Sequence, residues 1–133
     1  MVVTAALIEK DKRVLITRRK ADTSQPLKWE FPGGKLEFGE TPEHCLFREI
    51  QEELNVLIAV KGVFDVVSHI YGDTQVVLIC YRCSYISGKF LPVECCAFEW
   101  ATPENILQYD LAPADIPIAR KWSSCYLTTS SGG

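Results

Sequence analysis

A chain of 133 residues with 47% hydrophobic and 23% charged residues has room for one globular domain with its own core and none for a second. Its net charge of −3 argues against electrostatic binding to a nucleic-acid polymer, which needs a run of cations to displace counterions. The longest unbroken apolar run, residues 76–81, falls far short of the ~18 residues of a membrane span, and Met1-Val2-Val3 begins a strand-like pattern with no basic leader, so a cytoplasmic protein with no membrane partner is expected.

Residues 2–8 and 14–18 carry the apolar runs of two strands, joined by a polar stretch over 9–13, and predict a hairpin. Arg18 and Arg19 close the second strand. Neighbouring side chains on a strand point to opposite faces, so at most one of the two leans into a site beside it. Residues 21–28 form a loop that delivers Trp29-Glu30-Phe31-Pro32-Gly33-Gly34, where Trp29 and Phe31 alternate as in a short strand. Phe31 is either a core aromatic or a ring laid against a base, a contact worth about 1–3 kcal/mol where proteins stack bases. Gly33 and Gly34 let backbone approach a ligand closely.

The glycine pair runs through Lys35 and Glu40 into a carboxylate-laden helix. Thr41 is a good N-cap, Pro42 suits the first helical position and Glu43 favours the positive end of the helix dipole, so a helix is predicted to about Leu54. Leu46, Phe47, Ile50 and Leu54 share one side of it, while Glu49, Glu52 and Glu53 fall within an arc of about 100° on another. Glu49 and Glu53 at i and i+4 cost an isolated helix about 0.2–0.5 kcal/mol. Glu52 and Glu53 also sit near the negative end of the dipole, so local physics opposes the arrangement. A bound cation reverses that sign, and carboxylate oxygens are the ligands Mg²⁺ prefers, shared with substrate phosphates. Three such glutamates alone are ordinarily a solvated acidic face; the Gly-Gly loop before them shifts the reading toward a metal site.

Gly34, five residues, Glu40, seven residues and then Arg48-Glu49-Ile50-Gln51-Glu52-Glu53-Leu54-Asn55-Val56 resembles the signature of the Nudix hydrolases. One position departs, with Asn55 where the signature usually has glycine. Asparagine tolerates the left-handed conformation that ends helices, so the C-cap is expected to be kept.

Residues 57–67, with a bend at Lys61-Gly62, and residues 75–86 read as two long, paired, central strands around a turn at 71–74. Glu94, within residues 91–97, is by itself an ordinary acidic loop residue. Thr102 and Pro103 open a second helix, as N-cap and first helical residue. A last helix enters through Pro113 and Pro117 and runs to about Trp122, with Asp115 most simply a charge on its dipole. Residues 128–133 are polar and expected to be disordered, which leaves 1–127 as the single domain.

The six cysteines, Cys45, Cys80, Cys83, Cys95, Cys96 and Cys125, are too scattered for a disulfide framework. Cys80 and Cys83 form a C-x-x-C, but three steps along an unbroken strand set the thiols on opposite faces, against a zinc knuckle. Free thiols in a reducing compartment are expected. His44 and His69 give little support to an imidazole metal site.

The Nudix resemblance spans nearly the whole chain. It implies an α/β (α+β) fold, a mixed β-sheet sandwiched between α-helices, and attack of water on a diphosphate linkage with Mg²⁺ as cofactor and Mn²⁺ able to substitute. It also implies Gly33, Glu49, Glu52 and Glu53 as metal ligands, one of the glutamates or Glu94 as the base for water, Arg48 to orient the helix carboxylates and Lys35 near phosphate. In the MutT-like branch Arg19 matches a substrate-contacting arginine, and Asp115 matches a residue that faces the base. Glu94 matches a glutamate of the metal and water site six residues before Trp100, with Glu99 as its rival by alternation. An ionised Asp115 only accepts hydrogen bonds, which suits the amine of cytosine or the donor edge of guanine. Residues 111–117 are most similar to the branch members that act on CTP and oxidised nucleotides, so a nucleotide substrate is implied, with a nucleoside monophosphate and pyrophosphate as products. A nucleotide sugar or dinucleotide hydrolase and a non-catalytic nucleotide sensor are the alternatives. The three intact glutamates argue against the sensor, since binding alone needs fewer carboxylates. Either a monomer or a homodimer suits the chain.

Overall fold

Residues 4–8 and 14–17 are buried without interruption, as in strands covered on both faces, and the elements they form lie at the centre of the molecule. The structure is a computed structural model and describes residues 1–131. Strand β1 (Val2–Lys10) turns through Asp11 and Lys12, both at positive φ (52° and 60°), into β2 (Arg13–Arg18). Left-handed residues at both turn positions suit the twist of a two-residue hairpin. The start of β1 pairs antiparallel with β4 (Gly33–Lys35), and its end pairs with β2. On its other edge β1 runs parallel to β6 (Thr74–Ser87). Strand β2 in turn pairs with β3 (Trp29–Glu30) and β7 (Ala97–Ala101).

Alternation along these strands makes two cores. Ala5, Leu7, Val14, Ile16, Leu78 and Cys80 face helix α2 (Ile116–Ser131) through Ile118, Ala119 and Trp122. Ala6, Ile8, Leu15, Tyr81 and Cys83 face helix α1 (Pro42–Leu54) through Leu46, Ile50 and Leu54. The mixed sheet is therefore sandwiched between helices, as the resemblance implied. Cys80 and Cys83 fall on opposite faces, and all six cysteines are free thiols. No helix of the described residues is long and apolar enough to cross a membrane.

Three expectations are corrected. Strand β5 (Leu57–Tyr71) pairs with β6 along its length, with a bulge at the Lys61-Gly62 bend, but it is the edge of the sheet. Only β6 is central, because β1 occupies its other side. The helix expected from Thr102 shrinks to one 3₁₀ turn, Ile106–Gln108. Thr102 and Asn105 do exchange reciprocal hydrogen bonds, but the backbone turns extended at Tyr109, and Asp110 O and Trp29 N–H then bond at 2.8 Å. Helix α2 continues to Ser131 rather than ending near Trp122, so its backbone includes residues 128–131 of the tail expected to be disordered. The rest of that tail, 132–133, lies outside the described residues.

Candidate active site

Helix α1 starts and stops as its local chemistry dictates. Thr41 Oγ1 accepts from His44 N–H at 3.2 Å, and Asn55 ends the helix in the left-handed region at φ 63°. The glycine loop packs against this helix and against β1 with no room to spare. A Cβ on Gly33 would lie 2.0 Å from Thr4 O, and one on Gly34 would lie 2.2 Å from Glu49 Cδ. The two obstacles differ in kind, since the first is β-sheet backbone and the second the end of a mobile side chain. Gly33→Ala is therefore expected to destabilise the fold by about 1–3 kcal/mol. Gly34→Ala should leave the denaturation midpoint nearly unchanged and lower turnover about tenfold by displacing Glu49. Urea unfolding beside steady-state kinetics checks both, and equal stability losses would contradict the distinction.

Arg48 organises the carboxylates. Its Nε and Nη2 donate to the two oxygens of Glu40, at 3.1 and 2.7 Å. Its Nη1 donates to Glu49 Oε1 at 2.8 Å and to Glu52 Oε2 at 3.3 Å. The hydrogen bonds from Arg48, and then from the Glu37 amide, hold the Glu40 carboxyl down at about 2. Glu40, which the sequence presented only as a spacing, thus ties the glycine loop to α1.

A cleft of about 150 Å³ opens beside this network, lined by Gly33, Glu49, Glu53 and Glu94 together with Arg19 and Glu30. Glu53 is 8% exposed, and its carboxyl is pushed up to about 8, first by burial and then by the charge of Glu30. The Gly33 amide and the Thr17 hydroxyl pull the other way. Thr17 Oγ1 is buried and completes no hydrogen bond, so it acts as a nearby dipole rather than a formed partner. Burial also raises the Glu49 carboxyl, against the pull of Arg48. Glu52 does not line the cleft; its side chain is 48% exposed and turned to Arg48. Glu99 is turned away as well, accepting from Tyr109 Oη at 2.6 Å. Between the two rivals it is Glu94 that stands at the cleft.

The donor set suits a hard divalent cation. It is made of oxygens, and its two raised carboxyls are those that a neighbouring positive charge would bring down. Among the described residues no three His, Cys, Asp or Glu side chains form a ready-made cage. Mg²⁺ does not need one, because it keeps several waters and binds through one or two carboxylates and substrate phosphates.

A second, mostly apolar cavity of about 380 Å³ adjoins the cleft and shares Arg19, Glu30 and Gly33 with it. Asp115, Phe31 and Tyr71 line it, with the exposed Lys35 among its polar residues. Phe31 is both core and cavity wall at 3% exposure. Asp115 is buried, and its Oδ1 accepts from Phe31 N–H at 3.0 Å rather than serving only the dipole of α2. Burial and then the charge of Glu30 raise its carboxyl well above the usual range. Arg19 leans inward and donates from Nη1 to both Glu30 oxygens, at 3.1 and 3.2 Å, whereas Arg18 donates to Leu27 O.

Glu30 is the site residue that sequence reasoning missed. Burial raises its carboxyl, Arg19 opposes that, and its charge bears on both Glu53 and Asp115. Alternation offered the signal: Trp29 and Phe31 pack into the α2-side core, which turns the residue between them toward the glutamates of α1.

A profile of the NUDIX domain matches residues 1–122. The chain is 36% identical over 116 residues to the CTP pyrophosphohydrolase of Escherichia coli K12, covering 87% of this chain and 86% of that protein. It is 30% identical over 120 residues to the 8-oxo-dGTP diphosphatase of the same organism, covering 90% and 93%. The solution structure of the E. coli ORF135 protein has a similar fold, with a TM-score of 0.84 at 33% identity over 96% of this chain and 91% of that one. Nudix hydrolases generally use divalent metals. The signature loop and helix, folded here around one carboxylate cleft within a match that spans most of the chain, show that this protein belongs to the Nudix family and hydrolyses diphosphate linkages.

Proposed function

We propose that this protein is a Mg²⁺-dependent nucleoside triphosphate pyrophosphohydrolase that clears CTP, dCTP or oxidised purine nucleotides from the cytoplasmic pool, releasing a nucleoside monophosphate and pyrophosphate. The observation that carries the reading is the shared wall between the carboxylate cleft and the larger apolar cavity, with Asp115 in the latter. A nucleotide fits that shape, its phosphates at the acidic end and its base at the apolar end. The names of the two E. coli relatives support the same substrate class.

The Gly33 carbonyl, Glu49, Glu53 and Glu94 would hold the cation, with Glu52 joining on release from Arg48. When bound, the cation supplies neutralisation of charge on the phosphoryl oxygens and a lower pKa for water. Glu94, exposed at the rim, is assigned to take the proton from the attacking water. Arg48 keeps Glu49 oriented, Arg19, which lines both spaces, meets phosphate, and Lys35 reaches toward phosphate from the wall of the larger cavity. Phe31 and Asp115 receive the base. Mn²⁺ has the same preference for oxygen ligands and is expected to substitute.

Hydrolysis of dCTP and 8-oxo-dGTP in ¹⁸O-labelled water, with both products weighed, tests the reading. A nucleoside monophosphate and pyrophosphate are expected as the products, with the label in only one of them, which locates the phosphorus attacked. Release of inorganic phosphate with a nucleoside diphosphate left behind would contradict it, as would a strong preference for a nucleotide sugar or dinucleotide.

A further inference from the structure

The last turn of α1 leaves carbonyls without partners inside the helix, and the loop between β6 and β7 takes them up. Leu91 N–H donates to Leu54 O at 3.0 Å, Val93 N–H to Glu53 O at 3.0 Å, and Glu94 N–H to the same oxygen at 3.3 Å. Glu53 thus lines the cleft with its side chain and holds the segment carrying Glu94 with its carbonyl. At the start of that loop, Asn55 Nδ2 donates to Lys89 O at 3.1 Å. Gly88, at φ 105°, presses against the same corner so closely that a Cβ would lie 2.6 Å from Asn55 O. Glycine at position 55 would end the helix equally well, but it has no amide to reach Lys89.

We propose that Asn55 is a positioning residue whose side-chain amide latches the loop of residues 88–95 to the end of α1 and so holds Glu94 at the cleft. The inference rests on the role given to Glu94 above. Val93 and Glu94 hang from Glu53 O, with Leu91 N–H on Leu54 O before them and Cys96 N–H on Arg18 O after them. The tie at Lys89 adds a further restraint where the loop leaves β6. Loss of one such hydrogen bond raises the open population of the loop about 3- to 10-fold.

Asn55→Gly and Asn55→Asp both keep a residue that tolerates the left-handed cap, and both remove the donor. In the cation-free protein, each is expected to speed amide hydrogen exchange at Val93 and Glu94 about 3- to 10-fold, with Ile50 unchanged. Turnover follows the closed fraction, so it should fall by a smaller factor, under about 3-fold, with the nucleotide KM unmoved. In a Glu94→Gln background the further loss from Asn55→Gly should vanish, because the latch acts through Glu94. Unchanged exchange at Val93 and Glu94 would overturn the latch, and so would a full multiplicative loss in the double variant. If Glu94→Gln alone left turnover intact, the role of Glu94 in the proposed function would fall, while the exchange rates would still decide the latch.

Discussion

Glu53→Gln is expected to lower kcat on the order of 100-fold or more and, at the same time, to stabilise the cation-free protein at neutral pH. Both effects follow from one environment. The side chain is 8% exposed beside Glu30 and Glu49, and its carboxyl sits at about 8 against 4.5 in the open chain. A carboxyl raised on folding favours the protonated native state, so its contribution is fully present below about pH 4.5 and is lost as pH rises through about 8. At pH 7 the loss amounts to roughly 3 kcal/mol, which a glutamine avoids because it cannot ionise. Urea unfolding in a chelator should therefore give curves for the two proteins that converge near pH 4 and separate toward pH 8, with added Mg²⁺ closing the gap from the wild-type side. A variant as active as the wild type at limiting metal would remove Glu53 from the site. Parallel stability curves would show that its charge is not what opposes folding.

Asp115→Asn is expected to reorder the preferred bases by about 10- to 100-fold in kcat/KM. The surroundings of Asp115 oppose the acceptor-only carboxylate expected from the sequence. Burial and the charge of Glu30 favour the neutral acid, which accepts from Phe31 N–H at Oδ1 and can carry a proton on its other oxygen. A base with an amine beside a basic ring nitrogen, as cytosine has in N4 and N3, can take that proton on the ring nitrogen and leave the carboxylate oxygen to accept from the amine. Asparagine removes the choice: with its oxygen on Phe31 N–H, it offers the cavity only a donor amide. dUTP, whose O4 is an acceptor, should gain on dCTP, whose N4 is a donor, while the dependence on Mg²⁺ concentration stays the same. Kinetics on the dCTP and dUTP pair check this. An unchanged ranking with a slightly lower melting temperature would reduce Asp115 to a residue at the start of α2.

The best-read part of the chain was the one whose determinants are close in sequence. Thr41, Pro42 and the spacing of Leu46, Ile50 and Leu54 act within a few turns, so α1 and its left-handed end at Asn55 could be read without knowing the fold. The split of Cys80 and Cys83 between two faces was equally local, following from the two-residue period of a strand. The edge position of β5 was not legible, because nothing within β5 records that β1 has taken the far side of β6. Nor was the shortening of the Thr102 helix, since the hydrogen bond between Asp110 and Trp29 that the chain turns toward crosses most of the sequence.

The carboxylates divide the same way. By itself the sequence determined which glutamates exist near the glycine loop and that Glu49, Glu52 and Glu53 share an arc of α1, because helical periodicity sets directions. Only the tertiary structure decided that Glu53 is buried while Glu52 is half exposed, that Glu94 rather than Glu99 reaches the cleft, and that Glu30 joins them. Periodicity gives a side chain's direction from its own element but not what lies in that direction. Desolvation, which makes a charge costly and therefore useful to a cation, depends on neighbours that arrive from β2, β3, β4 and the loop before β7.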